Sequence, residues 1–262
     1  MPSVIALAAV APLSTEPSVR AEQCNQLVLG ETASVVGRQG EWVRVCTHND
    51  HYDGWVHSGY LKAVDDSAAA SWRSEAKGWS EGALVRADGW QMALPLRARI
   101  VLEQGAVVLP DGRRARVVTG SVQPLSDVTS AARGKAPERW AAEHFQGSPY
   151  QWGGVTPWGV DCSGLVQTTF AARGIGVPRD AAQQVSVGEV VSPDSMRPGD
   201  LLYFRSESGS GSVTHVAFAG EADTLVHSTL ACGGVLVESR LPGSRAATLL
   251  ERLVAVRRLE ER

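Results

Sequence analysis

The 262-residue chain has few cysteines, and this scarcity excludes one class of small secreted protein. Its four cysteines are too few to form a disulfide scaffold in a chain of this length. Cys24 and Cys46 could pair with each other, although two separate, half-buried thiols are the simpler interpretation. Cys232 is interpreted as structural or incidental. The cysteines are therefore considered one at a time, and Cys162 is the one with chemical context.

The chain also lacks a strong charge bias and a long apolar run. Its formal net charge of −3 gives no reason to expect nucleic acid or an anionic membrane as a partner. The apolar segment 4–13 resembles the core of a secretion signal, but no Lys or Arg precedes it, and Pro12 and the acidic Glu16 close it. The segment is too short to span a bilayer. We interpret it as the first strand of a domain and expect a cytoplasmic protein, unless a truncated gene has lost a signal.

Length and composition indicate an ordinary globular protein with two or three domains, because 44% of residues are hydrophobic and 20% are charged. Residues 1–65 carry short alternating runs separated by glycine turns, which is typical of a small β-barrel. Residues 66–71 are small and polar and are predicted to form a linker. Residues 72–128 indicate a second small β unit, and residues 129–136 a second linker.

From residue 137 the pattern changes to helices followed by strands. Residues 138–146 have helical spacing after a proline that suits a helix start. Residues 162–173 form a second predicted helix, which ends at Gly174. Strand-like runs follow at 200–204, 215–219, 224–228, 235–238 and 253–257. Helices followed by antiparallel strands indicate an α+β domain over residues 137–262.

The segment Asp161-Cys162-Ser163-Gly164 places a cysteine at the entry to the second of these helices. Unpaired N–H groups and the helix dipole favour an anion there, so we expect this thiol to ionise more easily than usual. A thiolate is the attacking species in cysteine-based acyl transfer. His215 and His227 follow at well-separated positions within apolar stretches. One cysteine with distant histidines is typical of a cysteine hydrolase.

Five motifs in a fixed order carry a family resemblance. They are Tyr150-Gln151-Trp152-Gly153-Gly154, Asp161-Cys162-Ser163-Gly164-Leu165-Val166, Pro178-Arg179-Asp180, Arg197-Pro198-Gly199-Asp200-Leu201-Leu202-Tyr203-Phe204 and Thr214-His215-Val216-Ala217. From residue 137 to about residue 258 the chain resembles the NlpC/P60 cysteine peptidases. The first block, with Gly30-Glu31, Trp42-Val43-Arg44-Val45 and Gly54-Trp55-Val56, resembles a bacterial SH3 domain.

The resemblance implies an α+β fold: a papain-like catalytic domain, with helices packed on an antiparallel sheet, preceded by two small SH3-like β-barrels. The second block, residues 72–128, matches the SH3 pattern poorly, so its identity depends on position as much as on sequence. SH3-like domains before an NlpC/P60 domain resemble the γ-D-glutamyl-L-diamino acid endopeptidases, which recycle cell-wall peptides. The implied substrate is a murein tripeptide or tetrapeptide, L-Ala-γ-D-Glu-diamino acid, with a free amino end.

The resemblance also implies catalytic roles. Cys162 would be the nucleophile, and His215 would take its proton and later protonate the leaving amine. His227 would hold the first imidazole in the right tautomer, at a position where the family has His, Asn or Gln. Tyr150 would donate its hydroxyl to the oxyanion, together with the backbone N–H of Cys162.

A second set of residues is implied in substrate selection. Asp161 and Ser163 would bind the substrate near the scissile bond, and Trp158 either packs or lines the cleft. Asp180, beside Arg179, would pair with the free ammonium of L-Ala, because a buried ammonium needs an anion. From the first SH3-like domain, the candidates that complete this pocket are Glu16, Tyr52 and, as a substitute, Tyr60. The chain departs from the family at Ala181, where many members have Ser.

Several alternatives stay open at this point. Cys162, His215, His227 and Cys232 could form a zinc site, although no CxxC or HxxxH spacing supports one, and we expect neither metal nor cofactor. A non-catalytic wall-binding protein and an amidase or acyltransferase with the same triad are the other functions considered. We expect a monomer without nucleic-acid or membrane partners.

Overall fold

The computed structural model describes residues 2–206 and 211–260. The chain divides into two compact units, Met1–Thr129 and Ser130–Arg262. The first unit is built mainly of strands, and the second combines helices with one larger sheet. Within the described residues, no helix is long and apolar enough to cross a membrane.

The first unit begins with a seven-stranded sheet in the order β3-β2-β6-β5-β4-β1-β7. Its strands are β1 Pro2–Ala6, β2 Val10–Ser14, β3 Gln23–Val28, β4 Thr32–Gln39, β5 Trp42–Thr47, β6 Asp53–His57 and β7 Leu61–Asp65. The alternating residues of these strands meet in one apolar core, which includes Leu13, Leu27, Val43 and Val56. This core explains the alternation in the sequence, because successive side chains of a strand point to opposite faces.

The prediction of a single first strand over residues 4–13 is wrong. The segment forms two strands, because β1 pairs with β4 and β7 whereas β2 pairs with β3 and β6. The pairing of Cys24 with Cys46 is likewise absent, since neither residue forms a disulfide and both are half-buried. The simpler interpretation of these two cysteines is the one that the structure has.

The second part of the first unit is a closed four-stranded barrel in the order β10-β11-β8-β9. Its strands are β8 Gly78–Ala87, β9 Trp90–Glu103, β10 Ala106–Val108 and β11 Arg114–Pro124. Strands β8 and β11 approach so closely that a Cβ atom on Gly120 would lie 1.9 Å from the carbonyl oxygen of Gly82. Gly120 also has φ +72°, so two independent constraints require glycine there.

Both predicted linkers contain helices instead. Helix α1 is Asp66–Glu75 and helix α2 is Leu125–Arg133. Asp65 caps α1, because its side chain accepts a hydrogen bond from the backbone N–H of Ala68 at 2.7 Å. The alanine-rich composition that indicated a linker is also that of a good helix former. Trp72 of α1 donates to the carbonyl oxygen of Gly30 at 2.8 Å, which ties the helix to the first sheet.

The second unit has helices packed on a six-stranded antiparallel sheet in the order β14-β19-β15-β16-β17-β18. The strands of this sheet are β14 Glu189–Val191, β15 Leu201–Arg205, β16 Val213–Ala219, β17 Thr224–Thr229, β18 Gly234–Ser239 and β19 Leu253–Arg258. A separate two-stranded ribbon is formed by β12 Val155–Thr156 and β13 Gly159–Val160. The helices are α3 Pro137–Phe145, α4 Cys162–Ala172, α5 Ala181–Gln184 and α6 Arg245–Leu250.

Helix α4 is the buried centre of this unit. Its residues are buried except Ala171, and it contacts α3 and strands β16 and β17. Its polar side chains are satisfied inside the protein, as Thr168 shows by donating to the carbonyl oxygen of Val155 at 2.8 Å. Burial of nearly the whole helix fixes its position, so the residue at its first turn is held against the sheet.

Candidate active site

Cys162 is the first residue of α4, and Asp161 caps that helix. The Asp161 carboxylate accepts a hydrogen bond from the Gly164 N–H at 2.7 Å and another from the Gly153 N–H at 2.8 Å. Capping by aspartate satisfies donors that a helix start would otherwise leave unpaired. The cap and the buried helix hold the Cys162 side chain in place, and only 5% of this residue is exposed.

A buried ion pair supports the cap. Arg179 is 1% exposed and reaches both oxygens of Asp161, with Nη1 3.0 Å from Oδ1 and Nη2 2.6 Å from Oδ2. Arg179 also donates to the Ser163 hydroxyl at 2.8 Å, and that hydroxyl donates to Asp161 at 3.1 Å. These three residues hold each other beneath the start of α4. Their predicted contacts with substrate are untested and stay predictions.

The electrostatic environment of Cys162 differs from the one expected. Burial first and the negative charge of Asp161 second raise the pKa of the Cys162 thiol to about 12. The backbone N–H groups of Val216 and Ser163 and the charge of Arg179 act in the opposite direction but do not prevail. The prediction that the helix start makes this thiol ionise more easily is therefore wrong for the free protein.

The two histidines lie on neighbouring strands and contact each other. His215 on β16 and His227 on β17 are joined through Nε2 and Nδ1 at 2.8 Å. The neighbouring N–H of Val216 is directed at the Cys162 sulfur, which brings this end of β16 against the thiol. His227 is 0% exposed. The structure therefore brings together the cysteine and both histidines that the sequence indicated.

Both imidazoles are held neutral at ordinary pH. Burial, followed by the positive charges of His227 and Arg245, lowers the pKa of His215 to about 3. Burial and Arg245 lower the pKa of His227 to about 4. The raised pKa of the thiol and the lowered pKa values of the two imidazoles both disfavour a thiolate–imidazolium pair in the free protein.

The sequence reasoning missed two residues beyond His227. Glu238 on β18 lies with Oε2 3.1 Å from His227 Nε2, and Arg245 at the start of α6 bonds both oxygens of Glu238. The alternation of side chains along β18 could have indicated Glu238. His227 is opposite Leu236 in the β17–β18 pair, and Glu238 lies two residues further on the same face. The contact between Glu238 and His227 can be predicted only when the pairing register of β17 and β18 is known in addition to the two strands.

Tyr150 lies close enough to Cys162 to be affected by its charge. The Tyr150 backbone N–H donates to the carbonyl oxygen of Gly233 at 2.8 Å, and Tyr150 forms an isolated β-bridge with Val160, two residues before Cys162. Burial first and the charges of Cys162 and Asp161 next raise the pKa of the Tyr150 phenol well above its ordinary value. The phenol therefore keeps its proton and can donate a hydrogen bond.

Two further predicted residues of this unit lie at the surface near these elements. Trp158, in the β12–β13 turn, is 50% exposed, so its side chain is not fully packed against the protein. Asp180 is half-buried at the N-cap of α5, next to the buried Arg179, and its side chain does not cap that helix. Ala181 is buried. The roles assigned to Trp158 and Asp180 stay predictions.

The remaining predicted residues lie in the first unit. Glu16 is exposed just after β2, and Tyr52 is half-buried against the core of the seven-stranded sheet. Tyr60 is exposed and packs edge-on near His57, with ring centroids 6.3 Å apart. Their proposed part in an ammonium pocket stays a prediction.

The zinc alternative finds no support in geometry. Among residues 2–206 and 211–260, no group of three or more His, Cys, Asp or Glu side chains could hold a metal ion. Cys232 is exposed in a short turn between β17 and β18.

Comparison with known proteins places these features in context. The NlpC/P60 family profile matches residues 147–249, and the bacterial SH3 domain profile matches residues 12–62. The chain is 30% identical over 222 residues to a Gamma-D-glutamyl-L-lysine dipeptidyl-peptidase of Bacillus subtilis, covering 78% of this chain and 71% of the relative. A protein of the same name from Bacillus cereus is 27% identical over 223 residues, covering 78% of this chain and 66% of the relative.

Solved structures share the fold over nearly the whole chain. A crystal structure of an NlpC/P60 family protein from Bacillus cereus matches with a TM-score of 0.78 at 21% identity, covering 98% of this chain and 99% of that one. An NlpC/P60 endopeptidase from Photobacterium damselae matches with a TM-score of 0.68 at 14% identity, covering 97% and 70%. Identities this low show the fold alone.

Proposed function

The chain belongs to the NlpC/P60 family of cysteine peptidases, and from this membership we propose that it hydrolyses the bond between γ-D-glutamate and a diamino acid in short murein peptides. The names of its relatives in two Bacillus species support this substrate class. The observation that carries the proposal is the constellation at the start of α4. There the Cys162 thiol is buried against β16, the strand that carries one member of a histidine pair joined at 2.8 Å, and Tyr150 interacts electrostatically with the thiol.

The geometry supports a general-base attack. His215 Nε2 is occupied by His227, so Nδ1 is the ring nitrogen that takes the thiol proton. The sulfur then forms a bond to the carbonyl carbon of the γ-glutamyl group, and the oxygen gains the negative charge. The Tyr150 hydroxyl and the backbone N–H of Cys162 donate to this oxyanion.

Collapse of the tetrahedral intermediate breaks the carbon–nitrogen bond. His215 returns its proton to the leaving amine of the diamino acid, which leaves a thioester on Cys162. A water molecule then attacks the thioester while His215 takes its proton, and the thiol is released with the free γ-carboxyl group. No step requires a thiolate in the resting protein, in keeping with the raised pKa of Cys162 and the lowered pKa of His215.

We assign recognition of the free L-Ala amine to Asp180, with Glu16 and Tyr52 or Tyr60 as further contacts. An ammonium removed from water needs an anion to compensate its charge, and Asp180 is half-buried at the N-cap of α5. Peptides with a free amino end arise when cell-wall fragments are degraded. The proposal therefore includes a role in recycling such peptides, in the cytoplasm.

The direct test is hydrolysis of L-Ala-γ-D-Glu-diaminopimelate and of the lysine equivalent, followed by mass spectrometry of the released dipeptide. Wild type and Cys232→Ala should release L-Ala-D-Glu, and Cys162→Ala should release none. Cys232 is an exposed thiol and serves as the matched control. Absence of release from wild type, or equal release from Cys162→Ala, would contradict the proposal and would return the amidase and wall-binding alternatives to consideration.

A further inference from the structure

The histidine pair continues into a longer hydrogen-bonded chain. It runs from His215 Nε2 to His227 Nδ1 at 2.8 Å, then from His227 Nε2 to Glu238 Oε2 at 3.1 Å. Arg245 bonds both Glu238 oxygens, through Nε to Oε1 at 3.1 Å and through Nη2 to Oε2. Arg245 Nη2 also lies 3.4 Å from His227 Nε2. His227 Nε2 thus faces an acceptor and a donor at once.

These two neighbours demand opposite tautomers of His227. A carboxylate only accepts, so Glu238 requires a proton on His227 Nε2 and leaves Nδ1 bare. Bare Nδ1 then accepts from His215 Nε2–H, and His215 Nδ1 is free to receive the thiol proton. Arg245 only donates, so a bond from it requires bare Nε2 and puts the proton on Nδ1 of His227. That proton would be donated to His215 Nε2, and His215 Nδ1 would already be protonated.

The tautomer of His227 with its proton on Nε2 is therefore productive, because it leaves His215 Nδ1 able to accept the thiol proton. The tautomer with the proton on Nδ1 is not. In the structure the carboxylate is closer to His227 Nε2 than the guanidinium, and the guanidinium is bound to that carboxylate. His227 is completely buried, so water does not provide an alternative partner. The chain of hydrogen bonds fixes the state of His215 only while Glu238 keeps both of its contacts.

We propose that Glu238 is a positioning residue that selects the productive tautomer of His227 and, through it, of His215, and that it does so by occupying Arg245. This inference rests on the proposed cysteine–histidine chemistry but not on the identity of the peptide substrate. It assigns Glu238 and Arg245 a role that extends the catalytic set across a third strand and onto α6.

The variant Glu238→Gln tests the proposal with almost no change of shape. Arg245 should hold the amide oxygen, so the amide NH₂ should face His227 Nε2 and favour the unproductive tautomer. We expect kcat to fall by about tenfold to hundredfold with little change in KM, which is less than the loss expected from removal of the general base itself. Glu221→Gln is the matched control, because Glu221 is also paired with an arginine, Arg139, but at an exposed site.

A double variant separates tautomer control from structural support. Adding Arg245→Met to Glu238→Gln frees the amide to turn its oxygen toward His227, so kcat should rise above that of Glu238→Gln alone. Two contacts that merely stabilise the fold would give a double variant worse than either single one. An additive or greater loss in the double variant, with folded protein by circular dichroism, would overturn the proposal.

Nitrogen-15 NMR of the imidazole rings provides a measurement without substrate. Wild type should show His227 and His215 both protonated on Nε2, and Glu238→Gln should show protonation shifted toward Nδ1. Observation of Nδ1–H on His227 in the wild type would refute the inference even if Glu238→Gln did not fold. If no murein peptide is cleaved but these tautomers are found, the substrate proposal fails while the role of Glu238 stands.

Discussion

The Cys162 sulfur receives opposing electrostatic influences from the groups around it. The N–H donors of Ser163 and Val216 favour a thiolate, whereas burial and the Asp161 carboxylate oppose it. The second pair prevails because removal of water penalises a charge more than two donors compensate. In the proposed mechanism, His215 therefore activates the Cys162 thiol at the moment of attack, and no thiolate is stored beforehand.

This balance predicts slow alkylation of Cys162 in the free protein. A pKa raised to about 12 leaves little thiolate at pH 7, and the reaction with iodoacetamide should accelerate well above pH 9. The exposed Cys232 thiol is the internal reference for this reaction. Peptide mass spectrometry resolves the two sites in one sample. Faster alkylation of Cys162 than of Cys232 at pH 7 would indicate a resting ion pair instead.

The buried His227 predicts acid sensitivity of the second unit. Its pKa, lowered to about 4 by burial and Arg245, lies below the value of about 6.5 in an unfolded chain. The unfolded state therefore binds the proton more tightly, so stability is complete above pH 6.5 and decreases as the pH falls toward 4. The slope reaches about 1.4 kcal/mol per pH unit for one histidine.

His227→Gln removes that proton-binding site and should flatten this slope. Chemical unfolding of both proteins between pH 7.5 and 5 measures the difference. Parallel pH dependences for the two proteins would show that the protonation of His227 is not coupled to folding.

Among the structural elements, helix α4 begins at a buried ion pair between Arg179 and its N-cap residue Asp161. Arg179 and Asp161 are both nearly fully buried, with a shortest contact of 2.6 Å between Nη2 and Oδ2. A buried pair of this kind contributes little net stability, but breaking it leaves a charge without compensation. Its role is to fix where the helix begins, and with it the position of Cys162.

Arg179→Met should lower the free energy of unfolding by about 3–5 kcal/mol, because Asp161 loses the buried guanidinium that pairs with it. Arg139→Met removes a cation from the exposed pair with Glu221 and should leave the melting temperature nearly unchanged. Calorimetry of both variants makes the comparison. Equal melting temperatures for the two variants would mean that Asp161 becomes protonated at little cost.

The elements of the second unit were largely predictable from sequence, and the connections were not. Each of the five predicted strands is present, as is the helix that begins at Cys162, because period-two and 3.6-residue patterns are local signals. Helices α1 and α2 were missed because small polar residues suit both linkers and capped helices. Glu238 was missed because its partner depends on register, which no single strand encodes.

For the whole molecule, the first unit combines a sheet that matches the SH3 domain profile with a closed four-stranded barrel. A role for this unit in selecting substrate is part of our proposal, through Glu16, Tyr52 or Tyr60. The profile match covers residues 12–62, so the SH3-like identity of the barrel at 78–124 stays a prediction.

Selection by the free amine predicts a strong preference among whole substrates. N-acetylation of L-Ala-γ-D-Glu-diaminopimelate should lower kcat/KM by at least about a hundredfold, because it removes the ammonium that Asp180 is proposed to bind. Intact sacculi, in which the L-Ala amine is acylated, should be digested even more slowly. Equal rates on free and acetylated peptides would contradict the ammonium pocket while leaving the peptidase assignment unaffected.

The hydrogen-bond chain from His215 to Glu238 crosses three adjacent strands, so it constrains insertions and deletions. Side chains alternate between the faces of a sheet, and a shift of β18 by one residue would turn Glu238 away from His227. The turns at 220–223 and 230–233 should therefore accept extra residues only when the paired strands keep their alignment. For engineering, strand alignment rather than turn length decides which loop grafts retain activity in this enzyme.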